Sequence, residues 1–349
     1  MIWEVLLQSR HVRRRINMML RPLNLKIHDD PSDGSTPTLG RLRGRYNRRT
    51  EATPQAQKRL RRDHPALQDL RRRYADSGLV MASLGVWGTA DRLEDLTMPY
   101  FRGDNAYLWQ LRNIRRRQST VYREYSSYIR SIDQRGLLGR LGEDGAFGCW
   151  TYRDAERTVI SRDLLDSVNE ICFLDRVWGL LDRDGFNVVD IGAGYGRLAH
   201  RIVTANPDLN QYYCVDAVPE STFLCEYYLQ YRKISPKGQV VPLDRLDEEI
   251  KGHVDLAVNV HSFSEMPRAA IRGWLSWLRQ RNVRNLFIVS NEGDRLLSLE
   301  SDFSRTDAMP LLAEYGYRLV AGEPIIRDKG IRDSLGIEDH FLFFTRVLK

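Results

Sequence analysis

The sequence predicts an α/β fold in which a helical N-terminal region precedes a seven-stranded, mostly parallel sheet with one antiparallel strand. After residue 185, short apolar segments alternate with helical ones, the pattern of parallel strands covered by helices on both faces. A glycine-rich turn follows the first of these segments. The last two segments, YRLVAG and HFLFFTRV, are joined by a stretch too irregular for a crossover helix, so HFLFFTRV is expected to insert antiparallel.

The chain divides into three predicted domains. Residues 1–75 carry 18 Lys and Arg against 7 Asp and Glu, a balance of +11, while the other 274 residues balance at −4 with 35 against 39. Residues 1–75 are therefore interpreted as a basic, partly flexible arm. Residues 76–184 have apolar residues at helical spacing and are expected to form a cap over the substrate. Residues 185–349 form the predicted sheet domain.

The amino-acid composition and the charge pattern limit which partners and which cellular compartment are expected. A hydrophobic content of 42% supports a full core, and no apolar run approaches the roughly 20 residues that span a bilayer. The opening residues place apolar positions before positive charges, the reverse of a secretory signal, so a cytoplasmic location is expected. The basic arm is compatible with a solvated tail or with contact to a membrane surface or another polyanion; specific nucleic-acid recognition is not expected.

Seven segments are predicted to be strands. In chain order they are FNVVDI, QYYCVD, QVVPL, VDLAVNV, NLFIVS, YRLVAG and HFLFFTRV. In the helical region before them, Ser161 is predicted to cap a helix that continues to about residue 181, and the glycine-rich stretch GLLGRLGEDGAFGCW is predicted to be a loop.

The first predicted strand runs into the strongest motif of the chain. Asp190 ends the strand, and Gly192, Gly194 and Gly196 follow at alternate positions. Glycine at this density indicates a backbone that approaches a ligand closely or adopts positive φ. The second strand ends in Asp216, twenty residues after Gly196, where a carboxylate can accept both hydroxyls of a ribose.

Two cofactors fit that outline. A nicotinamide dinucleotide favours G-x-G-x-x-G, which seats a pyrophosphate on helix amides. The spacing here is D-x-G-x-G-x-G, without that phosphate pattern. S-adenosylmethionine has no phosphate but carries an ammonium and a sulfonium, and an acid at the strand end suits their positive charge. The combination with Asp216 and a late reversed strand predicts S-adenosylmethionine as the cofactor.

The third and fourth strands end in further candidates. Leu243 and Asp244 are expected to flank the adenine ring, although Asp244 also fits the start of a helix. Asn259, His261 and Glu265 arrive next to the reacting methyl group, with Asn259 as a cofactor contact. Histidine is the usual base near neutral pH, so His261 is predicted to remove a proton from a hydroxyl acceptor, with Glu265 as its orienter or as a substrate contact. A structural hydrogen bond for His261 and a helix cap for Glu265 are the alternatives.

Two stretches are predicted to meet the substrate. The first, FRGDNAYLWQ, mixes aromatic faces with hydrogen-bonding groups, the equipment for holding a sugar ring. The second, GEDGAFG, has the composition of a loop that closes over the donor. Ordinary helix packing and an exposed turn are the alternatives. The predicted substrate contacts are Arg102, Tyr107, Trp109, Gln110 and Glu143.

Several segments together resemble a known family. GEDGAFG, SRDLLDSVNEICFL, VVDIGAGYGRLAHR, YYCVDAVPESTFLCEYYL and NVHSFSEM are similar to the sugar O-methyltransferase family of class I methyltransferases, over roughly residues 100–349. The resemblance implies a Rossmann-like methyltransferase fold, S-adenosylmethionine bound by residues 185–349, and a hydroxyl of a glycan, sugar nucleotide or glycosylated metabolite as acceptor. Some sugar methyltransferases use a divalent cation, but the sequence offers no acid pair to assign to one.

The prediction is therefore an S-adenosylmethionine-dependent sugar O-methyltransferase. Three alternatives stay open at this point: a methyltransferase acting on RNA or another small molecule, a non-catalytic cofactor-binding protein that docks through its basic arm, and a nicotinamide oxidoreductase. The sequence does not specify the sugar or the oligomeric state.

Overall fold

A computed structural model of the chain describes residues 52–83, 85–88, 93, 96–103 and 118–346. Most of the predicted basic arm lies outside these residues, and so does the stretch 104–117. The predicted contact of the arm with a polyanion therefore stays a prediction, as do the three domain boundaries. Among the described residues, no helix is both long and apolar enough to cross a membrane.

The sheet has the predicted architecture. The strands are β1 (Tyr152–Arg153), β2 (Val159–Ile160), β3 (Asn187–Ile191), β4 (Gln211–Val215), β5 (Gly238–Val240), β6 (Leu256–Val260), β7 (Asn285–Ser290), β8 (Tyr317–Pro324) and β9 (His340–Arg346). Strands β3 to β9 form one sheet in the order β5-β4-β3-β6-β7-β9-β8, while β1 and β2 form a separate hairpin. Every pairing from β5 to β7 is parallel, and β9 runs antiparallel to both β7 and β8. All seven predicted strands and the reversed last strand are confirmed.

Helices cover the sheet and extend its N-terminal side. They are α1 (Pro54–Arg59), α2 (Pro65–Asp76), α3 (Gln118–Ile132), α4 (Leu137–Leu141), α5 (Arg162–Trp178), α6 (Arg197–Ala205), α7 (Pro219–Tyr231), α8 (Leu246–Glu249), α9 (Arg268–Gln280), α10 (Met309–Glu314) and α11 (Lys329–Leu335). Ser161 caps α5 as predicted, accepting a hydrogen bond of 3.1 Å from the amide of Leu164. This cap and the buried apolar face of α5 fix the helix that precedes the first long strand.

The glycine-rich stretch after α3 differs from the prediction. It was expected to be a loop throughout, but Leu137–Leu141 form the short helix α4. Two interactions stabilise this helix although glycines surround it. The carboxylate of Asp133 accepts the amides of Leu137 and Leu138 at 2.8 Å each, and the leucines of the helix are buried. A side-chain cap and an apolar face thus stabilise one helical turn inside a sequence that reads as a loop.

The sheet order sets the position of the candidate site. Strand β3 pairs with β4 on one side and with β6 on the other, so the connections that leave β3 and β6 diverge. In an open parallel sheet, ligands bind in the crevice beyond the carboxyl ends of the strands at such a switch point. The crevice here is bordered by the loops that follow β3, β4, β5, β6 and β7 and by the start of β9.

Candidate functional site

The glycine loop after β3 is shaped by three positive φ angles. Gly192 has a φ of +77°, and a Cβ atom there would lie 2.2 Å from Oγ of Ser262. Gly196 has a φ of +86°, and its Cβ would lie 2.8 Å from Sγ of Cys225. Gly194 has a φ of +58° with no atom within 4 Å of an added Cβ. Two of the glycines therefore allow close packing, and the middle one has open space where a side chain would lie.

Asp190 lies at the end of β3, beneath the glycine loop. Its side chain is buried, and Oδ2 accepts a hydrogen bond of 2.9 Å from the hydroxyl of Tyr212 on β4. Burial raises the pKa of Asp190 to about 7, although the bond from Tyr212 opposes this shift. A nearby cation would favour the ionised carboxylate, so Asp190 has the electrostatics of a group that responds to a positively charged ligand.

Asp216 ends β4 and is tied to the glycine loop. Its Oδ2 accepts the amide of Gly194 at 2.9 Å, and its Oδ1 accepts the amide of Val218 at 2.8 Å. Burial raises the pKa of Asp216 to about 7 against these two bonds. The carboxylate therefore lies beside the open space at Gly194, where the sequence places a ribose.

The predicted adenine contacts are held by α2. Arg73 binds both oxygens of Asp244, with Nε donating to Oδ2 at 2.8 Å and Nη2 donating to Oδ1 at 2.7 Å. The amide of Leu243 donates to the hydroxyl of Tyr74 at 2.9 Å. Asp244 belongs to a 3-10 turn that leads into α8, so it also stands near a helix start, as the alternative interpretation requires. The adenine contact itself stays a prediction.

Asn259 links the ends of two strands. Its Nδ2 donates to the carbonyl of Ile191 at 2.7 Å, and its Oδ1 accepts the amide of Phe263 at 2.8 Å. The side chain is fully buried. Asn259 thus holds the turn after β6 against the end of β3, and both of these border the crevice. Its predicted cofactor contact is not tested by these bonds.

His261 follows β6 in a strained conformation. Its φ is +64°, in the left-handed region, and its amide donates to the carbonyl of Val289 at 2.9 Å. Its Nδ1 atom is buried and has no hydrogen-bond partner among the described residues. Burial lowers the pKa of His261, while the charge of Asp339 opposes this shift. The imidazole is therefore neutral near pH 7, as a base must be, and the strain and the orphaned nitrogen are typical of a functional position.

Glu265 lies in the 3-10 turn that follows His261. Its Oε2 accepts a hydrogen bond of 2.9 Å from the indole of Trp87. The charge of Glu265 also acts to raise the pKa of Asp216. The role of Glu265 as an orienter of His261 or as a substrate contact stays a prediction.

Arg102 and Glu143 form a buried ion network. Nη2 of Arg102 donates to Oε2 of Glu143 at 2.7 Å, and Nε donates to Oδ2 of Asp163 at 2.9 Å. Burial acts to raise the pKa of Glu143, but the charges of Arg102 and Arg201 outweigh it and lower the pKa well below its ordinary value. Both side chains of the Arg102–Glu143 pair have 0% exposure. A sugar contact by either residue would require this network to open.

The other predicted substrate contacts, Tyr107, Trp109 and Gln110, lie outside the described residues. Among the residues that are described, no group of three or more His, Cys, Asp and Glu is placed to hold a metal ion.

The structure adds charged residues around His261 that sequence reasoning missed. Arg162 at the start of α5 donates to Asp166 at 3.0 Å. Arg305 pairs with Glu292, which follows β7, and burial raises the pKa of Glu292 to about 7. Asp339, just before β9, influences the pKa of both His261 and Glu292. The position of Glu292, two residues after a predicted strand, was the available signal; the other residues come together only through the fold.

No family model and no curated protein matches the chain. Among solved structures, it is similar to magnesium protoporphyrin IX methyltransferase from Synechocystis with bound S-adenosylmethionine, at 15% identity over 66% of this chain and 97% of that one, with a TM-score of 0.38. It is similar to an S-adenosylmethionine-dependent methyltransferase from Clostridium acetobutylicum at 12% identity over 52% and 90%, with a TM-score of 0.38. It is also similar to an O-methyltransferase from neocarzinostatin biosynthesis at 16% identity over 53% and 59%, with a TM-score of 0.37.

TM-scores of 0.37 and 0.38 are too low for these similarities to indicate the fold or the function of this chain. The strand order and the pairing directions define its fold. The resemblance to the sugar O-methyltransferase family is not matched by a family model and stays a prediction.

Proposed function

We propose that the chain is an S-adenosylmethionine-dependent methyltransferase that transfers a methyl group to a hydroxyl of a sugar. The observation that carries the proposal is the open space at Gly194 beside the carboxylate of Asp216, at the switch point of the sheet. A carboxylate beside open space can accept hydrogen bonds from the ribose hydroxyls of a nucleoside.

The residues of the crevice fit this cofactor by their chemistry. Asp216 would hold the ribose, and Asp190 supplies negative charge beneath the glycine loop. Both carboxyl groups have pKa values raised to about 7 by burial, and a cationic ligand would stabilise their ionised forms. When bound, S-adenosylmethionine supplies a methyl group activated by its sulfonium.

His261 is the proposed base. Its Nδ1 is enclosed in protein, so we assign the hydrogen of the neutral tautomer to Nδ1 and proton uptake from the acceptor hydroxyl to Nε2. The charges of Asp339 and Asp166 favour the resulting imidazolium, and those of Arg162 and Arg197 oppose it. The imidazole thus takes the proton at transfer and releases it afterwards, as a general base does.

A sugar acceptor is favoured by the charged groups near His261. The pair Arg162–Asp166 acts on the pKa of His261, and Arg305, which pairs with Glu292, donates to the carbonyl of Ser264 in the turn after His261. A polyhydroxylated ring carries donors and acceptors on all its edges, so it can bind such a mixed set. The sequence resemblance supports the same acceptor class.

The test is a methyl-transfer screen read by mass spectrometry. The protein is incubated with S-adenosylmethionine and, in separate arms, with sugar nucleotides, with glycosides and with RNA. The proposal predicts a gain of one methyl on a sugar hydroxyl, which the His261→Ala variant produces at least about a hundredfold more slowly. Methylation in the RNA arm alone would contradict the sugar acceptor, and donor binding without turnover in any arm would contradict the enzyme assignment.

A further inference from the structure

Helix α2 lies against the two loops that border the predicted adenine end of the crevice. Its apolar face buries Leu67, Leu70 and Tyr74, and the helix packs on α7. With three enclosed side chains on one face, α2 is a fixed part of this wall.

Tyr74 joins the two loops directly. Its hydroxyl accepts the amide of Leu243 after β5 at 2.9 Å and lies 3.0 Å from Oγ1 of Thr222 on α7. Thr222 in turn donates to the carbonyl of Asp216 at 3.4 Å. One tyrosine side chain, 5% exposed, thus connects the end of β5 to the end of β4.

Two arginines of α2 reinforce this connection. Arg73 binds Asp244 through two parallel bonds of 2.8 and 2.7 Å, and Arg71 donates to Glu220 in the first turn of α7 at 2.9 Å. A bidentate guanidinium fixes the plane of a carboxylate, and the carboxylate keeps lone pairs for a further donor.

We propose that Arg73 and Tyr74 are positioning residues of the donor pocket: α2 fixes the Leu243–Asp244 turn relative to the start of α7, and Arg73 orients the Asp244 carboxylate toward the adenine amine. This inference rests on the proposed function. If α2 instead competed with the donor for the Leu243 amide and the Asp244 carboxylate, substitutions of Arg73 and Tyr74 would strengthen donor binding.

The experiment measures binding by calorimetry to S-adenosylhomocysteine and to S-inosylhomocysteine, which has an oxygen in place of the adenine amine. The variants are Arg73→Gln and Tyr74→Phe in the full chain. Arg72→Gln is the matched control, because Arg72 lies on the same helix and pairs with Asp69 at the surface. Thermal melting of each variant checks that it is folded.

We expect both variants to bind S-adenosylhomocysteine about tenfold or more weakly, while Arg72→Gln binds like the wild type. The loss in Arg73→Gln should be smaller for S-inosylhomocysteine, and Arg73→Lys should recover part of the affinity. Unchanged or tighter binding in folded variants, or an equal loss for both ligands in Arg73→Gln, would overturn the inference. Wild-type protein that binds neither ligand would instead refute the proposed function and the positioning role with it.

Discussion

The amide of Gly194 donates a hydrogen bond of 2.9 Å to Oδ2 of Asp216, which joins the loop after β3 to the end of β4. The second oxygen of Asp216 accepts the amide of Val218, so both loops that border the donor end are fixed by one carboxylate. Protein hydrogen bonds therefore hold the two loops together, and substitutions there should separate effects on stability from effects on binding.

Gly192→Ala should destabilise the fold more than Gly194→Ala. Both positions have positive φ, which costs an alanine about 1–2 kcal/mol. At Gly192 the new Cβ would also meet the side chain of Ser262 at 2.2–2.3 Å, which adds about 1–3 kcal/mol. Urea unfolding checks the difference, and the double variant Gly192→Ala/Ser262→Gly should recover most of the added loss. Equal unfolding free energies for the two single variants would contradict this account.

Gly194→Ala should act on binding instead. Its Cβ meets no protein atom within 4 Å and projects into the open space assigned to the donor. We expect weaker binding of S-adenosylhomocysteine in calorimetry, with an unfolding free energy only about 1–2 kcal/mol below that of the wild type. Wild-type affinity in this variant would show that the ligand does not approach the loop here.

The stability of the protein should depend on the titration of Asp190. Burial raises its pKa to about 7 from an ordinary value of 3.8, so the folded state holds this proton over a range where the unfolded chain has lost it. The contribution of Asp190 to stability is complete below about pH 4 and is lost as the pH rises through about 7. Asp190→Asn cannot ionise, so its unfolding free energy relative to the wild type should rise over that window and then level off. Parallel pH profiles in urea unfolding would contradict the prediction.

The His261→Ala substitution should lower turnover while leaving the affinity for the donor nearly unchanged. We expect the affinity for S-adenosylhomocysteine to stay within about twofold of wild type, and kcat on the sugar found in the screen to fall by about 10²–10⁴. His253→Ala is the matched control, because His253 is an exposed histidine beside Asp255. Since burial lowers the pKa of His261, wild-type kcat should decline only at pH values below the ordinary histidine value of 6.5. Equal loss of binding and turnover would argue against a base.

Arg102→Met should be among the most destabilising substitutions in the chain. It removes the partner of two buried carboxylates, Glu143 and Asp163, at about 3–5 kcal/mol of unfolding free energy. The control, Arg135→Met, breaks pairs at the surface and should cost less than about 1 kcal/mol. Comparable losses in urea unfolding would refute the structural importance of the buried network.

Local patterns predicted the sheet, because each strand carries its own apolar signal and its own turn. The glycine loop and Asp216 were predictable for the same reason, since each lies at a strand end. The bonds of Arg73, Tyr74 and Arg102 were not, because their partners are between 41 and 171 positions away in the sequence. Such pairs form only when helices pack against distant parts of the chain, and a short stretch of sequence does not predict that packing.

The central claim is that the crevice beside Asp216 binds S-adenosylmethionine. The most direct measurement is a calorimetric titration of S-adenosylhomocysteine into the wild type and into Asp216→Ala, with Asp216→Asn to separate lost charge from a lost side chain. The account predicts saturable binding to the wild type that is abolished in Asp216→Ala, with the variants still folded by thermal melting. No heat with the folded wild-type protein, or equal affinity in Asp216→Ala, would contradict it.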